Sequence, residues 1–144
     1  MVKKAEKSDL SALTALALQL WPGHSAEAME SDLAETMAGE NAAFFLAWEG
    51  GQVVGFAQTQ LRHDYVEGTD SSPVGYLEGI YVAEGFRNRG VARVLLAACE
   101  DWAKAKGCAE FASDCELDNL QSLAFHLRMG FAEANRVICF AKKL

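Results

Sequence analysis

Apolar residues at Leu10, Leu13, Ala17, Leu20 and Trp21 recur at the spacing of one helix face, which predicts a first helix that Pro22 and Gly23 end. Val2 to Ala5 reads as a short strand before it, and Ser8 or Asp9 is placed to cap its first turn by accepting orphan backbone N–H bonds. A second helix follows, with Ala26, Met29, Leu33 and Met37 on one face, Glu27, Glu30, Ser31 and Glu35 facing elsewhere, and Gly39 as its stop. The period then changes. Ala43 to Trp48 and Val53 to Leu61 are rich in strand formers, and the Glu49-Gly50-Gly51-Gln52 turn between them predicts a hairpin.

Arg62 to Val74 breaks into a polar loop, after which Tyr76 to Val82 reads as an apolar strand interrupted by a Glu78-Gly79 bulge. Beyond the Ala83 to Gly90 loop, Val91, Val94, Leu95, Ala98, Cys99 and Trp102 mark a strongly amphipathic helix closed by Gly107. Phe111 to Asp114 reads as a strand and Leu120, Leu123, Ala124 and Leu127 as the apolar face of a further helix ending at Gly130. Val137 to Ala141 reads as a last strand. This order predicts one α/β domain over residues 1–144, built on a mixed sheet with helices on both faces.

Composition narrows the function classes. With 51% hydrophobic residues in 144, the chain can fill a core without disulfides or metal. A net charge of -7 argues against nucleic acid, whose phosphates need clustered Lys and Arg, and suits a cationic ligand only where the acids line a cleft. Cys99, Cys108, Cys115 and Cys139 contain no Cys-x-x-Cys pair and the three histidines complete no zinc spacing, so free thiols in a reducing compartment and no metal are expected. Lys3 and Lys4 ahead of an apolar run look superficially like a signal peptide, but Glu6, Asp9 and the helical spacing favour a mature, cytoplasmic first helix. No apolar run approaches the ~20 residues of a membrane span.

The sharpest chemical feature is Arg87-Asn88-Arg89-Gly90-Val91-Ala92, directly between a strand and the strongest helix. A helix start offers unpaired N–H groups and a positive dipole end, small Gly90 and Ala92 let a diphosphate approach the backbone, and Arg87, Arg89 and Arg93 add charge. Neither the P-loop nor the Gly-x-Gly-x-x-Gly dinucleotide pattern occurs.

Arg87, Gly90 and Ala92 fit the Arg/Gln-x-x-Gly-x-Gly/Ala coenzyme A loop of the GCN5-related N-acetyltransferase superfamily, which the sequence resembles. Asn119, Ser122, Phe125, Gly130 and Phe131 resemble that superfamily's downstream Asn-x-x-Ala-x-x-Leu-Tyr-x-x-x-Gly-Phe segment in spacing. The resemblance implies a mostly antiparallel mixed sheet splayed at a central parallel strand pair, with acetyl-CoA as cosubstrate and its pantetheine in the gap against the backbone of Ile80, Tyr81 and Val82. It implies that Asn119 contacts the coenzyme, although an Asn there also suits a helix cap. His126 stands where many members carry the Tyr that protonates the leaving thiolate; His is a competent acid near neutral pH but on a helix is as often structural.

Leu20-Trp21-Pro22-Gly23-His24, Arg62-His63-Asp64-Tyr65-Val66, Asp70-Ser71-Ser72-Pro73-Val74, Leu77-Glu78-Gly79-Ile80, Ala112-Ser113-Asp114 and Arg136-Val137-Ile138 resemble one branch, the aminoglycoside 6'-N-acetyltransferases. That likeness implies an acceptor site of Trp21, His24, Tyr65, Glu78, Asp114 and Asn135. Carboxylates there would hold ammoniums and an aromatic ring would cover a sugar face. Glu78 or Asp114, directly or through water, would take the amine proton, and N–H groups near Ile80 to Val82 would polarise the thioester carbonyl. A ternary complex is expected in preference to a ping-pong route through Cys115. The likeness is compatible with a homodimer. The competing readings are an N-acetyltransferase for another small amine or peptide amine, and a weakly catalytic acyl-CoA-binding regulatory module.

Overall fold

The computed structural model describes residues 1–144. Its strands are β1 (Val2–Lys4), β2 (Ala42–Glu49), β3 (Gln52–Arg62), β4 (Val74–Val82) and β5 (Phe111–Ser113), and its helices α1 (Leu10–Leu20), α2 (Ala26–Ala38), α3 (Val91–Ala105) and α4 (Leu120–Arg128). The strands form one sheet in the order β1-β2-β3-β4-β5. Neighbours run antiparallel except β4 and β5, which are parallel. The α/β mixed-sheet class expected from the sequence is the class observed.

Alternation along β2 divides the core between the two faces. Phe44 and Leu46, with Phe56 of β3, pack against Leu13, Ala17, Met29 and Leu33 of α1 and α2. Ala43, Phe45 and Ala47, with Ala57 and Leu77, pack against Leu95, Leu96 and Cys99 of α3. Each fully buried large side chain here contributes about 1.5–3 kcal/mol of transfer free energy. Burial also pushes the Cys99 thiol up to about 12, with a smaller push from Glu100, so this cysteine is a packing residue.

Two features of β4 position the site. Across the β3–β4 ladder Gln58 pairs with Gly79 and Thr59 with Leu77, so Glu78 is the extra residue of a bulge, as the Glu78-Gly79 interruption predicts. On its other side β4 pairs with β5 only at Gly75, Tyr76 and Leu77, leaving the strand without a neighbour beyond that point. The sheet therefore forks at Leu77 and Ser113.

Four expectations are corrected. Asp9 precedes α1, but its carboxylate accepts from the backbone N–H of Glu6 at 2.9 Å and bonds no helix N–H; α2, in contrast, is capped by the Ser25 hydroxyl. Val94 of α3 is 53% exposed, because Leu95, Leu96, Cys99 and Ala103 form the buried stripe. On α4, Leu120 and Leu127 are exposed, while Phe125 and Met129, together with Phe131 after the helix, pack against the core; the larger side chains set the helix rotation. Val137 to Ala141 forms no strand, and Val137, Ile138 and Phe140 are exposed. A strand needs a ladder partner, and none of the sheet's ladders includes this segment.

Candidate active site

The Arg87–Arg93 segment folds as a turn into a helix. Asn88 and Gly90 both take positive φ, 62° and 81°, and Gly90 is the N-cap residue of α3. A left-handed conformation at the cap is the one that glycine adopts without a steric penalty. The first intrahelical bond runs from the Val94 N–H to the Gly90 carbonyl, so the N–H groups just before it point out of the helix start. The three arginines differ in freedom. Arg87 donates through Nε to the Val82 carbonyl at 2.7 Å and lies over Tyr81, Arg89 pairs with Glu49 at 3.0 Å, and Arg93 is exposed with no ion-pair partner.

Ladder geometry sorts the β4 backbone. The Ala83 N–H bonds to the Val54 carbonyl on β3, and in an antiparallel pair bonding direction alternates. Tyr81 therefore faces β3 too, consistent with its carbonyl lying 2.9 Å from where a Cβ on Gly55 would stand. Ile80 presents its N–H and C=O to the open side of the fork, and Val82 its N–H, while the Val82 carbonyl accepts from Arg87 Nε at 2.7 Å. Of the three backbone ligands expected from the sequence, Tyr81 is turned away.

On the α4 side of the fork, His126 Nδ1 lies 2.7 Å from the Ser122 carbonyl and Nε2 lies 2.8 Å from the Ser113 hydroxyl. The ring is wedged edge-on against Phe125 and Phe131. Asn119 caps α4 through its side-chain oxygen, which accepts from the Ser122 N–H at 3.1 Å. Cys115 is exposed and has no histidine hydrogen-bonded to it.

On the opposite side, Glu78 projects from the bulge onto Arg62, whose Nη2 reaches both carboxylate oxygens at 2.8 and 3.0 Å while Nε donates at 3.0 Å. The Arg62 guanidinium stacks 3.5 Å from the Tyr76 ring centroid, and the Tyr76 hydroxyl donates to Asp114 Oδ2. Burial, then the Asp114 carboxylate, raises the phenol well above its ordinary value, so Tyr76 holds its proton. Glu78 and Asp114 thus belong to one network. Arg62 and Tyr76 had no assigned role in the sequence reading, since an Arg at a strand end and a Tyr in an apolar strand carry no spacing signal.

Trp21 closes this side. Its ring packs edge-on to Phe56 and sits where a Cβ on Gly79 would lie 2.5 Å from its Cζ2, so glycine is required for the contact. Trp21, His24, Gln58 and Thr36 border a cleft of about 220 Å³ that also takes in Asp32, a carboxylate the helical pattern of α2 did not single out. Tyr65 stands 75% exposed on the loop after β3. Asn135 donates to Glu67 at 3.3 Å, and Ala134 packs at Gly68, which places Asn135 beside that same loop.

The loop is anchored by Glu110, which accepts from the Asp70 N–H at 2.8 Å and from the Ser71 hydroxyl. These bonds hold the Glu110 carboxyl below its ordinary value of 4.5. A carboxylate lowered in the folded state contributes stability that is present above its unfolded value and lost as pH falls through the folded one. Glu110→Gln is therefore expected to be less stable than the parent at about pH 6, with the difference shrinking as pH falls to about 3. Urea unfolding across that range checks it, and a constant difference would contradict the carboxylate anchor.

Residues 10–131 match the sequence model of the acetyltransferase (GNAT) family. The chain belongs to this family. Among its relatives in the family, the aminoglycoside N(6')-acetyltransferase type 1 of Salmonella enteritidis is 44% identical over 99% of this chain and 98% of its own length. The enzyme of the same name from Serratia marcescens is 42% identical over 100% and 99%. The solved structure of AAC(6')-Iy in complex with the bisubstrate analog CoA-S-monomethyl-acetylneamine superposes on this acetyltransferase fold with a TM-score of 0.96 at 43% identity, covering 100% of this chain and 98% of that one. The aminoglycoside 6'-N-acetyltransferase AAC(6')-Ih of Acinetobacter baumannii gives 0.95 at 36% identity, covering 100% and 98%.

Proposed function

We propose that this acetyltransferase moves the acetyl group of acetyl-CoA to the 6'-amine of aminoglycoside antibiotics, by direct attack in a ternary complex. The observation that carries this reading is the fork at Leu77 and Ser113, with opposite chemistry on its two sides. The α3 helix start and free Arg93 suit a diphosphate, and the outward backbone of Ile80 and Val82 suits pantetheine amides and the thioester carbonyl. The other side offers Glu78, Asp114 and Asp32 with Trp21, which suits a sugar carrying several ammoniums.

Within this site Arg87, Asn88, Arg89, Gly90, Val91, Ala92 and Arg93 surround the diphosphate. Asn119 acts chiefly as the α4 cap. Trp21, His24, Tyr65, Glu78, Asp114 and Asn135 receive the acceptor. Glu78 has both oxygens on Arg62 and serves as a charge anchor, whereas Asp114 Oδ1 carries no hydrogen bond and takes the amine proton, directly or through water.

Acetylation removes one cationic charge from the antibiotic, which would give resistance in the cytoplasm, where four free cysteines are at home. No helix is long and apolar enough to cross a membrane. A homodimer is part of the reading: Leu120, Leu127, Val137, Ile138 and Phe140 are exposed apolar side chains that a second copy would cover.

Thiol release from acetyl-CoA, measured with tobramycin, kanamycin and amikacin beside spermidine and a peptide amine, tests the function. Efficient turnover is expected only with the aminoglycosides. Turnover confined to the other amines would leave an acetyltransferase of different specificity, and coenzyme binding without turnover would leave a regulatory module.

A further inference from the structure

Both nitrogens of His126 are engaged, and their partners fix what the ring can do. The Ser122 carbonyl only accepts, so Nδ1 carries a hydrogen and donates to it at 2.7 Å. In the neutral ring Nε2 then bears the lone pair and accepts the Ser113 hydroxyl hydrogen across 2.8 Å. In the imidazolium both nitrogens donate, and the Ser113 hydroxyl turns its hydrogen elsewhere. Its nearest acceptor is the Leu77 carbonyl, 3.3 Å away on β4. The proton on His126 thus sets the direction of the Ser113 hydrogen, toward the helix or toward the fork.

Ser113 is also the last residue of β5 that pairs with β4, so its hydroxyl stands where the strands part. His126 lies one side chain behind it, wedged between Phe125 and Phe131. We propose that Ser113 is the group that hands a proton to the departing coenzyme A thiolate, and that His126 is the positioning residue that resupplies it. The proposal rests on the acetyl-transfer reading above.

The step balances as follows. The carbon–sulfur bond of the tetrahedral intermediate breaks and its electron pair stays on sulfur. The thiolate takes the Ser113 hydroxyl hydrogen, and the Ser113 oxygen takes the Nε2 proton of the His126 imidazolium. Thiol, neutral serine and neutral histidine remain, and solvent recharges the imidazole before the next cycle. A thiol of ordinary acidity, near pKa ~8.5, is already a fair leaving group, so the relay supplies less than the 10²–10⁴-fold usual for general acids, on the order of tenfold or more.

Single-turnover acetyl transfer, with enzyme in excess over acetyl-CoA and tobramycin saturating, isolates this step. Ser113→Ala and His126→Gln are each expected to slow it by at least about tenfold, and the double variant no further than the slower single one. Ser113→Thr, which restores the hydroxyl, is expected within about threefold of the parent, with KM for acetyl-CoA and the unfolding midpoint little changed in all four. A Ser113→Ala enzyme as fast as the parent, or losses that multiply in the double variant, would overturn the relay. A parent enzyme inert toward tobramycin overturns the acetylation reading and the relay together, so the two failures are told apart.

Discussion

Glu78→Ala is expected to lower kcat/KM for an aminoglycoside by about 100- to 1,000-fold, or roughly 2.7–4 kcal/mol, with most of the loss in the acceptor KM. Glu78 occupies the bulge, so its side chain leaves the sheet where neither neighbour in the ladder competes for it. The carboxylate there is ion-paired at 2.8 Å with Arg62, and its side chain is only 21% exposed. Truncation removes an anion from the proposed acceptor side and also strands the Arg62 guanidinium, turning a neutral pair into a net cation that would face a polycationic substrate. Repulsion therefore adds to lost attraction.

The double variant Arg62→Ala, Glu78→Ala separates these two contributions. Removal of the stranded cation should recover about tenfold of the loss. The KM for acetyl-CoA should stay within about twofold, because the proposed coenzyme side of the fork is built from other residues. Steady-state kinetics on purified single and double variants with varied tobramycin decide it. An unchanged acceptor KM in Glu78→Ala would remove this carboxylate from the acceptor site.

The fold was legible wherever periodicity met a terminator. The first two helices carry apolar spacing closed by Pro22-Gly23 and Gly39, and the hairpin carries Gly50-Gly51 between strand formers; all three appear near their expected bounds. The bulge was legible too, because Glu78-Gly79 interrupts an otherwise apolar strand. Legibility failed where a partner outside the local window decides the outcome. Val137 to Ala141 has strand-forming side chains but pairs with no strand of the sheet, and the α4 face was set by Phe125 and Met129 reaching the core over the more regular leucines.

The candidate site divides in the same way. The Arg87–Ala92 loop is contiguous and follows a pattern, so sequence alone nominates it, and the structure places it as the turn into α3. The Arg62–Tyr76 stack and the Ser113–His126 bond join strands and helices distant along the chain, and only the folded register brings them together. Tyr81 illustrates a finer limit. Its place in the strand is correct, but which side its backbone faces is decided by the bond from Ala83 to Val54.

Arg93→Glu is expected to raise the KM for acetyl-CoA by on the order of 100-fold while leaving the protein as stable as the parent or slightly more so. Arg93 is the third residue of α3, exposed and without an ion-pair partner, and the first turn of that helix holds no acidic residue. A glutamate at this position complements the helix dipole, an effect worth about 0.3–1 kcal/mol, and it can reach back to the exposed N–H groups of the cap. The same carboxylate occupies the electrostatic seat that the proposed function gives to the diphosphate. At that proposed seat it would replace an attractive charge by a repulsive one and would compete with the diphosphate for the same donors. Stability and coenzyme affinity are thus driven in opposite directions by one substitution, which a merely damaged fold cannot imitate. Calorimetric titration with coenzyme A beside thermal unfolding measures both. Raising the salt concentration should narrow the affinity gap between parent and variant, because the interaction is partly solvent-exposed and screened. Equal affinities in the two proteins would place the diphosphate away from the start of α3, and a variant weakened in both respects would show that Arg93 serves the fold.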